Sequence, residues 1–138
     1  MRAEVADETA GHVYELSNNA RSEHAWLCAQ VYRRQQRSRI ELVVADAGRG
    51  IRESLAGTVF EEPTDSSAII TAAQRRTTSV GRPNHSGIGL ASLIAYVSAN
   101  RGTTHIRSGG SIVEFGTMTQ ARHTVELSGT IVSCSIHL

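Results

Sequence analysis

Val44-Ala45-Asp46-Ala47-Gly48-Arg49-Gly50-Ile51 is the stretch whose reading decides the fold. It closes the apolar run Ile40 to Ala45, which reads as a strand, and its two glycines force a turn. An aspartate at a strand end can accept a hydrogen bond from the amino group of a planar base. Glycines, lacking Cβ, let such a base approach the backbone closely. Taken alone, Asp-x-Gly-x-Gly is also a plain turn.

Toward the N-terminus, Ala25 to Tyr32 reads as a second strand, and the two strands flank the polar run Arg33 to Arg39 as a hairpin. Before it, Ala3 to about Ser22 contains no proline and only Gly11 among glycines. Val5, Val13, Leu16 and Ala20 recur there at near-helical spacing, which predicts one amphipathic helix. Glu15 and Asn19 are one turn apart on its face, so a carboxylate and an amide converge on one spot. A carboxylate can orient or deprotonate a hydroxyl, and an amide oxygen can ligate Mg²⁺. The same pair also fits a solvated helix surface.

Toward the C-terminus, residues 52–86 mix Ser, Thr, Arg, Gly and Pro, with one short helical candidate around Ser67 to Gln74. Its length suits a functional lid. Ser86-Gly87-Ile88-Gly89 then leads into Leu90, Leu93, Ile94 and Val97 at helical spacing, with Gly102 placed to end the helix. Free N–H groups at a helix start, preceded by glycines, form a phosphate site. A dinucleotide fingerprint is excluded, because position 92 is serine and no apolar strand precedes the loop. His105 to Arg107, Ile112 to Phe115, His123 to Leu127 and Thr130 to Leu138 alternate as strands. This order predicts one α+β domain over residues 1–138: a two-layer sandwich with a mixed, mostly antiparallel sheet and helices on one face.

Composition narrows the chemistry. Fourteen basic and thirteen acidic residues leave a net charge of +1, which gives no drive toward nucleic acid or anionic lipid. Every basic residue is arginine, so lysine nucleophiles and the P-loop lysine are ruled out. Phosphates would have to be met by backbone N–H groups and by arginines such as Arg75, Arg76 and, nearest the second glycine turn, Arg82. Cys28 and Cys134 fall in strands and read as reduced structural thiols. No apolar run approaches about 20 residues and no secretion pattern opens the chain, which points to the cytoplasm and away from a membrane. Trp26 and Tyr32 read as core or sheet-face residues.

The order of the motifs is more specific than any one of them: Glu-x-x-x-Asn on a helix, Asp-x-Gly-x-Gly after a strand, a lid, Gly-x-Gly-Leu before a helix, and Gly129-Thr130 on a late strand. In this order the chain resembles the GHKL (Bergerat-fold) superfamily of ATPases and kinases over about residues 5 to 138. Glu15 to Ala20 resembles its N box, Val44 to Ile51 its first glycine box and Ser86 to Leu90 its second. The resemblance implies that Asn19 holds Mg²⁺ and that Asp46 binds the adenine amino group. It also implies that Gly48, Gly50 and Ile51 shape the base pocket and that Ser86, Gly87, Ile88, Gly89 and Leu90 meet the phosphates. Thr130 would be a minor adenine contact. Glu15, as the base, favours the ATPase branch and the anti-sigma serine kinases over histidine kinases. Members similar to those kinases often carry a histidine at the position occupied here by Glu23; His24 lies one place beyond it.

The resemblance thus implies ATP and Mg²⁺ as cofactors, and an ATP-dependent protein serine/threonine kinase or ATPase working with a protein partner, either a regulator or a phosphoryl acceptor. A homodimer is compatible with it, as is one module of a larger system. The rival reading is a binding module in which ATP closes the lid and exposes a docking surface without turnover.

Overall fold

Four rows of side chains cross the sheet and explain why these sequences form strands. The structure, a computed structural model, describes residues 7–14, 25–34, 37–74 and 89–137. β1 (Ala25–Arg34) and β2 (Arg37–Asp46) form the expected hairpin; β3 (Thr103–Phe115) and β4 (Thr119–His137) complete the sheet. The strand order is β1-β2-β4-β3, and every described pair is antiparallel. Side chains alternate between faces, so register aligns them in rows. Ile40 and Ile136 make one row, Leu42, Cys134 and Thr104 the next, and Val44, Val132 and Ile106 the third. Asp46, Thr130 and Ser108 form the last. The first three rows are buried. The last is polar and marks the end of the core.

β3 is not one straight run. His105 Nε2 and Glu114 Oε2 lie 3.1 Å apart although they are nine positions apart in sequence. An extended strand would hold those positions about 30 Å apart. The chain therefore folds back at Gly109-Gly110, and Thr103 lies beside Gly116. Gly109 has φ +57°, a conformation suited to glycine in a tight hairpin turn. The first arm of β3 pairs with residues 130–135 of β4 and the second with residues 119–123. β4 thus embraces the hairpin from both sides. The expected short strands at 105–107 and 112–115 are the two arms of β3, and the expected strands at 123–127 and 130–138 are parts of β4.

Among the described residues, four helices accompany the sheet. α1 covers residues 7–14; the rest of the helix expected over 3–22 lies outside the described residues. Thr9 Oγ1 lies 3.0 Å from the Tyr96 hydroxyl, and the His12 and Tyr96 rings are 4.9 Å apart. α2 (Ile51–Leu55) was not expected; it starts directly at the glycine turn. α3 (Asp65–Ala72) realises the helical candidate, capped by Thr64, whose hydroxyl accepts from the Ser67 N–H. Its Ala68 and Ile69 are fully buried. α4 (Gly89–Ala99) adds Leu93, Tyr96 and Val97 to the same core as the strand rows.

Gly102 does not supply the left-handed residue at the end of α4. That role falls to Arg101, with φ +56°, while the Gly102 N–H donates to the Val97 carbonyl at 2.8 Å. Glycine is needed at 102 because a Cβ there would collide with the Ser135 carbonyl oxygen. β1 is likewise less buried than expected: Trp26 is 60% exposed, and Leu27, Val31, Tyr32 and Cys28 are exposed too.

Two core positions yield tests. Thr104 is fully buried, and its hydroxyl has no hydrogen-bond partner among the described residues. Replacing it by the isosteric valine removes a desolvated, unpaired group, so Thr104→Val should raise stability by about 1 kcal/mol in denaturant titration. Cys134 is buried, and desolvation pushes its thiol from 9.0 up to about 11. The core accepts only the neutral thiol. Its contribution is fully present below pH 9.0 and lost as pH rises through about 11. Unfolding of wild type and Cys134→Val on both sides of that window should show an alkaline loss in the wild type that the variant lacks.

Candidate functional site

The polar row at the end of the sheet is where the sequence-predicted residues meet. Asp46 is the last residue of β2 and the direct cross-strand partner of Thr130. Its Oδ1 accepts from the Gly48 N–H at 2.8 Å, folding the turn back over the carboxylate. A Cβ on Gly48 would come within 2.8 Å of that oxygen, so the approach depends on glycine. Gly50 adopts φ +83° and caps α2. Ile51, the first residue of α2, packs partly buried against the core.

Ser108, which the sequence reading missed, ties these pieces together. It is buried and faces Thr130 across β3 and β4. Its Oγ accepts from the Ile51 N–H at 2.9 Å, donates to the Gly129 carbonyl at 3.1 Å and lies 3.3 Å from Thr130 Oγ1. One hydroxyl thus joins the glycine turn, the α2 start and β4. Gly129 has φ +103°, and a Cβ on it would run into the Asp46 carbonyl oxygen. The Asp46 turn and β4 touch backbone to backbone.

A second missed residue, Asp65 at the start of α3, steadies the neighbouring β3 turn. Its Oδ2 accepts from the Gly110 N–H at 2.8 Å, and any side chain on Gly109 would strike its carboxylate. Arg52 lies 3.9 Å from Asp65 Oδ1. α2, α3 and the β3 turn are therefore linked beside the polar row. The segment expected as a lid accordingly carries two helices, with Leu55, Ala68 and Ile69 buried.

Gly89 and Leu90 begin α4, and Leu90 packs partly buried on the core. α4 enters β3 through the short connection 100–102 and lies on the strands' buried face. The end of α4 meets the end of β4, where the His137 N–H donates to the Asn100 carbonyl. Glu15, Asn19, Glu23, His24, Arg75, Arg76, Arg82, Ser86, Gly87 and Ile88 lie outside the described residues. Among the described residues, no three of His, Cys, Asp and Glu converge as a metal site. No helix among them is long and apolar enough to cross a membrane.

No protein-family model and no curated protein matches the chain. The polar row offers a carboxylate and a hydroxyl side by side above an apolar floor.

The Gly129 contact is directly testable. Gly129→Ala should destabilise the protein by roughly 2 kcal/mol or more, read from a lowered denaturation midpoint, since it combines a strained φ with a backbone collision. Gly57 also has positive φ but open space around it, so Gly57→Ala should cost clearly less.

Proposed function

We propose that this chain is a Mg²⁺-ATP-binding domain of the GHKL type with a Bergerat fold, a cytoplasmic regulatory protein kinase similar to the anti-sigma serine kinases. The observation that carries the reading is the pairing of Asp46 with Thr130 under the Gly48–Gly50 turn. Two acceptor-bearing side chains at the mouth of a glycine-shaped turn fit the amino edge of adenine. Among the described residues, Gly48 is the partner found for Asp46, and it engages only Oδ1, which leaves Oδ2 to accept from a ligand. The start of α4 at Gly89 would offer backbone N–H groups to phosphate.

Bound ATP would supply the transferable phosphoryl group. The chain's own part is to accept from the base through Asp46, keep side chains out of its way at Gly48 and Gly50, and neutralise phosphate charge through Arg82. Asn19 would hold Mg²⁺, and Glu15 would take the proton from the acceptor hydroxyl of a protein partner.

The test is calorimetric titration with a non-hydrolysable ATP analogue, with and without Mg²⁺, alongside release or transfer of label from γ-labelled ATP. Asp46→Asn keeps an oxygen for the Gly48 N–H but turns the remaining acceptor into a donor facing a donor. Binding should be Mg²⁺-dependent and fall at least about tenfold in the variant, with label turnover falling in parallel. Wild-type protein that binds no nucleotide would end the proposal; binding without turnover would leave the ATP-gated module.

A further inference from the structure

Hydroxyl protons can be counted around Ser108. Its Oγ carries one proton, and the Gly129 carbonyl, which can only accept, takes it at 3.1 Å. The Ile51 N–H, which can only donate, points at the same oxygen from 2.9 Å. The remaining contact, 3.3 Å to Thr130 Oγ1, can run either way by geometry, and with the Ser108 proton assigned to Gly129 its donor is Thr130. Thr130 sits between Ser108 and Asp46 in the row. With its proton committed toward β3, it presents lone pairs on the side of β2.

From this we infer that Ser108 is a positioning residue that fixes base selectivity by making the Asp46–Thr130 corner acceptor-only. The inference rests on the proposal that the corner receives a nucleotide base. Cross-strand partners have Cβ atoms about 5 Å apart, a gap that one amino group can bridge by giving a hydrogen to each side. A 6-aminopurine satisfies both acceptors. A 6-oxopurine would set a carbonyl against them, and a Thr130 hydroxyl held by Ser108 cannot turn to donate to it. Buried at 2% exposure, Ser108 itself would never touch the base.

The experiment compares the imido analogues of ATP and inosine triphosphate, which differ at the 6-position. Wild type should prefer the adenine form. Ser108→Ala frees the Thr130 hydroxyl to rotate, so the adenine-to-inosine affinity ratio should fall about tenfold. Thr130→Val should lower it comparably, and the double variant no further; a merely structural role for Ser108 would weaken both ligands alike and leave the ratio unchanged. If Ser108→Ala does not fold, Thr130→Ser and Thr130→Val decide: the first should keep the wild-type ratio and the second lose it. A wild-type ratio in Ser108→Ala, or in Thr130→Val, overturns the inference while the nucleotide site stands. Absence of binding of either analogue to wild type overturns both.

Discussion

The turn after β2 rests directly on β4 because Gly129 has no side chain. Its missing Cβ lets the Asp46 carbonyl and the Ala47 backbone lie against residue 129. That contact brings the Asp46–Gly50 turn over the sheet end, sets the start of α2 at Ile51 and leaves the Ile51 N–H aimed at Ser108. Displacing β4 there would separate Asp46 from Thr130 and strand a buried hydroxyl together. One backbone-to-backbone approach therefore fixes the geometry of the whole polar row.

The reading of the sequence and the structure agree where information is local. Ile40 to Ala45 is apolar enough to be a strand anywhere, the leucine and valine spacing after Gly89 suits a helix, and Asp46 to Gly50 is a turn by composition. Strand ends were harder to place. β1 reaches Arg34 and β2 begins at Arg37, inside a run that looked like loop, because cross-strand pairing carries the ladder past the last apolar residues. Cys28 looked equivalent to Cys134, yet register puts Cys134 in the buried row with Leu42 and Cys28 in the row of Val43 and Ser133, on the opposite face.

Ser108 was hidden for a different reason. Its importance comes from its place opposite Thr130, and such register is decided by pairing between distant segments. The available signal was Gly109-Gly110 between two alternating runs, which marks a tight hairpin and places Ser108 on its inner face beside Thr104 and Ile106. Asp65 gave less away, since an acidic residue in the first turn of a helix is ordinary on electrostatic grounds. Its bond to Gly110 belongs to tertiary packing.

The polar row also has a dielectric meaning. Asp46, Thr130 and Ser108 stand immediately above Val44, Val132 and Ile106, so one side of each acceptor looks into a medium that cannot reorient to screen it. Elsewhere on the sheet, Arg39 and Glu41 pair at 2.7 Å with both side chains partly exposed, where water can reach and screen the charges. Partial charges brought against the Asp46 end meet a field that water quenches from one direction only. The boundary between apolar rows and polar row thus makes the end of this sheet the place where a small difference in a ligand's charge distribution is felt most strongly.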